Sequence, residues 1–153
     1  MTMNEVALQK IKSYCAYQER SHQQVRYKLI ELEVYGDDLE EMLSILIAEN
    51  YLNEERFARS LARGKFRFKQ WGRQKINYAL KQEKVSAYCI RQAMTEIDED
   101  EYLKTLDSLA DKKLSTLKSE KNKFIKMTKL RNYLMQKGYE SEYIREILQQ
   151  KLN

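Results

Sequence analysis

An all-α chain built from tandem helical repeats is what this sequence predicts, on three observations. Proline is absent and glycine occurs only four times in 153 residues. Leu, Lys, Glu, Gln, Arg, Ala and Met are abundant, so intrinsic propensity favours helix nearly everywhere. An apolar pair four residues apart, which stacks on one helix face, recurs three times: Val25 and Leu29 in SHQQVRYKL, Ile76 and Leu80 in GRQKINYAL, Leu130 and Leu134 in KLRNYL. Each is followed by a second pair, Met42 and Leu46, then Ile90 and Met94, then Ile144 and Leu148, offset by 17 residues in the first copy and 14 in the others.

The elements follow in order. In the first repeat, residues 1–51, a helix carries Ala7, Ile11, Tyr14 and Cys15 on one face. Ser21 with Gln24 has the spacing of a capping box, in which each side chain satisfies an orphan N–H of the first turn. Gly36, Asp37 and Asp38 break the chain before the third helix, and Asp38 with Glu41 again fits a capping box. In the second repeat, residues 52–97, Phe57, Leu61 and Phe68 are expected to form the buried stripe of the first helix. Lys84 stands where the other copies have glycine, so that helix ends without a residue that reaches positive φ freely, and Ser86 caps the next. In the third repeat, residues 98–153, the acidic run Asp98–Glu101 suits a helix start, where carboxylates meet the positive end of the dipole. Leu103, Leu106, Ala110 and Leu117 mark its buried face, and Gly138 its last break. Units of about 50 residues bury too little surface to stand alone, so the three repeats should stack into an elongated, curved array.

Charge is unevenly spread. Residues 1–51 carry net −4, residues 52–97 net +7 and residues 98–153 net +2. On the first helix of the middle repeat Arg56, Arg59, Arg63 and Arg67 share one stripe, flanked by Lys65 and Lys69 and extended by Arg73 and Lys75. Phe66 falls among them by the same arithmetic, where an aromatic ring could stack on a base or a partner side chain. Arginine suits planar recognition of carboxylate or phosphate, so this stripe is the candidate binding surface. Arg20 and Arg26 of the acidic first repeat are secondary candidates. A solvated helix face is the plain alternative.

Catalytic patterns are missing. His22 is the only histidine, and it sits beside the Ser21 cap. No glycine-rich phosphate loop, HExxH or CxxC occurs, which argues against an enzyme and against a bound metal or cofactor. Cys15 and Cys89 lie within apolar helical patterns and read as small buried hydrophobes. Most of the eleven tyrosines are expected at cores or junctions, and Trp71 is balanced between packing and anchoring a partner. No window approaches the roughly 18 apolar residues of a membrane span, and Met1–Gln18 lacks the features of a secretory signal. A cytoplasmic location follows as the expectation.

The segment Tyr51–Met94, YLNEERFARSLARGKFRFKQWGRQKINYALKQEKVSAYCIRQAM, resembles the central part of RecX proteins. Tyr51, Leu52, Asn53, Glu54, Arg56, Phe57, Ala58, Gly72, Ile76 and Leu80 carry the likeness. ERSHQQVRYKL, from Glu19, is similar to the family's first repeat, and KLRNYLMQKGYESEYI, from Lys129, to its closing one. Lys84 departs from the usual glycine, and Gly36–Asp38 lengthens the first turn. The resemblance implies a modulator of the RecA recombinase that binds the RecA–DNA filament and restrains strand exchange, ATP hydrolysis and co-protease activity. On that reading Arg56, Arg59, Arg63, Arg67, Lys69, Arg73 and Lys75, with Arg20 and Arg26 behind them, contact RecA or DNA, and the chain acts as a monomer. Two other readings stay open at this point. One is a nucleic-acid-binding helical module independent of RecA; against it, the last helix of the middle repeat opens with Ser86, Ala87 and Tyr88, a poor set for reading base edges. The other is an adaptor for a different protein.

Overall fold

The computed structural model describes residues 2–153, apart from the side chain of Met3. These form nine α-helices and no strand: α1 Met3–Tyr17, α2 His22–Glu31, α3 Gly36–Ala48, α4 Glu54–Lys69, α5 Arg73–Gln82, α6 Ala87–Met94, α7 Glu99–Ser115, α8 Lys123–Lys137 and α9 Ser141–Leu152. The repeated apolar pairs decide the buried faces. Val25, Leu29, Ile76, Leu80, Leu130 and Leu134 are all fully buried.

The caps explain where the helices begin. Thr2 and Glu5 close a reciprocal capping box on α1, and Ser21 and Gln24 close the expected one on α2. Ser21 is also the one buried polar residue in the described core, and its hydroxyl donates to Glu83 at 2.7 Å. The Ser86 hydroxyl accepts from the Cys89 N–H, and Asp98 accepts from the Glu101 N–H at the start of α7. Asp38 does not cap α3. That helix begins earlier, at Gly36, with Asp37 and Asp38 inside its first turn, because the chain already reverses at Glu33, which has φ +63°. Lys84 takes φ +61° itself, filling the role of the missing glycine, and Gly138 ends α8 with φ +100°.

Two compact units divide the chain, Met1–Leu61 with Leu80–Ala93 and Ala62–Ala79 with Met94–Asn153. Within the first, Ile11, Cys15, Val25, Leu29, Val34, Met42, Leu46 and Leu52 belong to one hydrophobic cluster. Within the second, Tyr102 is fully buried, with ring centroids 5.0 Å from Tyr139, 5.8 Å from Phe66 and 6.0 Å from Tyr143. Gly72 lies against Gly138 there so closely that a Cβ on Gly72 would sit 2.3 Å from the Gly138 carbonyl oxygen. That approach carries two backbone hydrogen bonds, Gly72 N–H to Lys137 O at 2.7 Å and Gln74 N–H to Gly138 O at 2.8 Å. The Tyr139 hydroxyl adds a third contact, donating to Gln70 O at 2.9 Å.

Three expectations need correction. Phe66, not Phe68, is buried: Phe66 is 6% exposed and Phe68 84%. The end of α4 buries the face defined by Ala58, Ala62 and Phe66, because Phe66 packs on the Tyr102 ring, and this rotates the buried arc away from Phe68. Leu103 is 41% exposed, its expected place in the core being held by its neighbour Tyr102. Tyrosine is less uniformly internal than expected, with Tyr27, Tyr78 and Tyr88 exposed. Their rings sit one or two positions off the buried pairs, on the outward side of each helix. Cys15 and Cys89 are buried free thiols, as expected, and burial pushes the Cys15 thiol above its ordinary range.

Candidate functional site

The arginine stripe on α4 is present, but each member has its own surroundings. Arg56 is held by the first unit: its Nε meets Glu19 at 2.6 Å, and its Nη atoms reach the Asn50 side chain and the carbonyls of Asn50 and Tyr51 at 3.1–3.3 Å. This guanidinium closes the end of α3, where Asn50 has φ +65°. Arg59 pairs with Glu55 at 3.0 Å and donates to Gln92 at 3.1 Å. Arg63 pairs with Glu96 at 2.8 Å.

Arg73 is the most enclosed. It bridges Glu140 at 3.0 Å and Glu99 at 2.6 Å and lies 3.8 Å over the Tyr102 ring. The backbone N–H of Arg73 donates to the Tyr102 hydroxyl at 2.9 Å, and that hydroxyl donates in turn to Glu140. Burial and the Glu140 carboxylate both push the Tyr102 phenol well above its usual range. The hydrogen bonds from Tyr143 and Arg73 hold the Glu99 carboxyl below the ordinary carboxylate value. In the first unit Arg20 stacks 3.7 Å over the Tyr14 ring and donates to the Tyr14 carbonyl, and Arg26 forms a two-pronged pair with Glu40 at 2.7 and 3.2 Å.

A different set faces outward at the end of α4. Arg67, Phe68 and Lys69 are consecutive and exposed. Two residues after Lys69, Trp71 is half-buried, with Lys65 Nζ 4.9 Å and Lys75 Nζ 4.6 Å from its ring. Among the described residues neither Arg67 nor Lys69 is in an ion pair. The sequence places the whole stripe in one binding surface; the structure brings Lys65, Trp71 and Lys75 together and gives Arg56, Arg59, Arg63 and Arg73 carboxylates of the protein itself. Sequence reasoning passed over Phe68 as a surface residue because its helical phase matched the apolar stripe.

Other chemistry is limited. Among the described residues no group of three or more His, Cys, Asp and Glu could hold a metal ion. No helix among them is long and apolar enough to cross a membrane. An open groove of about 360 Å³ runs along α7 and α9, lined by Leu103, Leu106, Tyr143 and Ile147 together with Lys104, Asp107, Glu146 and Gln150.

Comparison with known proteins places this geometry. The profile described as RecX, second three-helix domain, matches residues 53–94, and that of RecX, third three-helix domain, matches residues 99–148. Regulatory protein RecX of Prosthecochloris aestuarii (strain DSM 271 / SK 413) is 30% identical over 146 residues, covering 95% of this chain and 93% of its own. The chain belongs to the RecX family. Regulatory protein RecX of Clostridium perfringens (strain 13 / Type A) is 30% identical over 135 residues, 88% of this chain, which spans 63% of that relative's length. Crystallised RecX from Lactobacillus salivarius superposes with a TM-score of 0.85 at 22% identity, covering 97% of this chain and 96% of its own. A second RecX crystal structure gives 0.86 at 20%, covering 97% and 74%. At such identities the likeness is one of fold, and the RecX fold is all-helical, as the sequence predicts.

Proposed function

We propose that this RecX-family chain regulates the RecA recombinase by binding the RecA–DNA filament, restraining strand exchange, ATP hydrolysis and co-protease activity, and that it acts by binding without catalysis. The observation that carries the reading is the match to a regulatory protein RecX over nearly the full length of both chains. Tandem helix triplets suit a partner that is itself repetitive, and the positive middle repeat suits an acidic groove or DNA phosphates.

Of the candidate contacts, Arg67 and Lys69 stand first, with Lys75 beside Trp71. They present charge and two aromatic rings that the fold leaves accessible. Arg56, Arg59, Arg63 and Arg73 act chiefly by holding α4 and α5 in place, and Arg20 and Arg26 do the same for α1, α2 and α3.

The test is the single-stranded-DNA-dependent ATPase of the cognate RecA, titrated with this protein and with an Arg67→Glu/Lys69→Glu variant. Inhibition well below one molecule per RecA, lost in a variant that melts like its parent, is the expected result. No effect at equimolar protein would refute the proposal and favour an adaptor for another partner. Inhibition retained by the variant would refute the assignment of the surface while sparing the activity.

A further inference from the structure

Positive charge without an ion-pair partner among the described residues also lies outside the arginine stripe. From Asp111 to Arg131 the chain carries eight basic and two acidic residues. This stretch joins the end of α7 to the start of α8, within the second compact unit. One of its two acidic groups, Asp111, is already engaged by Lys151 at 3.0 Å. Lys112, Lys118, Lys121, Lys123 and Lys129 are exposed, and among the described residues none of them, nor Lys126, is in an ion pair. Phe124 stands among them, 72% exposed, with Ile125 also on the surface.

Two of these lysines have a plain structural reason. Lys112 and Lys113 lie in the last turn of α7, where cations favour the negative end of the helix dipole. The same reasoning works against three others. Lys121 precedes the Asn122 cap of α8, and Lys123 and Lys126 fall in and just after its first turn, which contains no acidic residue. Cations at the positive end of a 15-residue helix oppose folding, and among the described residues no carboxylate forms an ion pair with them. An aromatic ring held in water beside them adds a second unfavourable feature. Both features become favourable when a polyanion with stackable rings lies across the start of α8.

We infer that the connection between α7 and α8, through Lys118, Lys121, Lys123, Lys126 and Phe124, is a nucleic-acid contact that takes single strands in preference to duplex. The lysines meet successive phosphates as point charges without base specificity, and Phe124 stacks on an unpaired base, which a duplex does not offer. The contact is separate from the proposed RecA surface on α4 and is measured without RecA.

The experiment is fluorescence anisotropy of a labelled thirty-nucleotide thymidine oligomer and of a duplex of equal length, titrated with the full chain at several salt concentrations. Neutralising Lys121, Lys123 and Lys126 to glutamine should weaken single-strand binding on the order of a hundredfold at about 50 mM salt and lower the salt slope by roughly 2. Its melting temperature should hold or rise, because the substitutions relieve the helix dipole. Phe124→Ala should lower single-strand affinity and leave duplex affinity unchanged. Absence of binding by the parent at about 50 mM salt, or parental affinity in the triple variant, would overturn the inference. Tighter binding of the parent to phosphatidylglycerol vesicles than to either nucleic acid would overturn it too.

Discussion

Replacing Gly72 with alanine tests the close backbone approach between Gly72 and Gly138. Gly72 is buried, and its need for glycine is steric: an added methyl would meet the carbonyl oxygen and carbon of Gly138 at 2.3 and 2.4 Å and the Tyr139 nitrogen at 2.6 Å. All three are backbone atoms, so no side chain can swing aside. The start of α5 must therefore draw away from the end of α8, at the expense of the hydrogen bonds from Gly72 to Lys137 and from Gln74 to Gly138. A net hydrogen bond contributes about 1 kcal/mol, and a buried donor left unpaired costs about 1–3 kcal/mol. One bond lost and one weakened gives a destabilisation of about 2–3 kcal/mol. At roughly 2–4 °C per kcal/mol for a chain of this size, Tm should fall by about 5–10 °C. Gly64→Ala is the internal control. It sits in the middle of α4 with no heavy atom within 4 Å of the added carbon, so it should stabilise by about 0.5–1 kcal/mol. Thermal unfolding followed by circular dichroism at 222 nm measures both. A Gly72→Ala protein melting within about 2 °C of its parent, or above Gly64→Ala, would refute the steric argument.

Other perturbations report on the polar contacts. Tyr102→Phe leaves the Arg73 N–H without an acceptor and removes a donor from Glu140, so urea denaturation should show a loss of about 1–3 kcal/mol. Arg63→Glu sets two carboxylates against each other where Arg63 now meets Glu96; because Arg63 is partly solvated, the loss should be about 0.5–1 kcal/mol, read from the same curves. The pH dependence follows from Glu99, whose carboxyl is held below its ordinary value in the folded state. Its contribution is complete above the ordinary carboxylate range and is lost as pH falls through the lowered folded value. Urea midpoints measured from neutral pH downward should therefore decline less steeply for Glu99→Gln than for the parent.

Much of the architecture is legible in the sequence because it is local. Val25 and Leu29, Ile76 and Leu80, Leu130 and Leu134 announce their helices by spacing alone, and Ser21, Ser86 and Asp98 announce three of the helix starts. What could not be read depends on contacts distant in sequence. The choice between Phe66 and Phe68 rests on the position of Tyr102, which no helical periodicity encodes. The arginines look free in a local window because Glu19, Glu96 and Glu140, which engage Arg56, Arg63 and Arg73, are 37, 33 and 67 residues away. Counting charge by repeat hid the lysines of residues 112–129, since acidic residues at both ends of the third repeat cancel them. A sliding window of about one helix hairpin would have exposed the run.

The division of the chain into compact units has a consequence for how such a protein changes length over evolution. Helices α4, α5 and α6 are each split between the two units, the breaks falling after Leu61, Ala79 and Ala93. The polypeptide passes between the units three times, so no single cut frees either one whole. Losing the middle triplet would strip residues from both units at once. Insertions are expected to collect instead in the exposed connection at 116–122, which belongs entirely to one unit and can lengthen at little entropic cost.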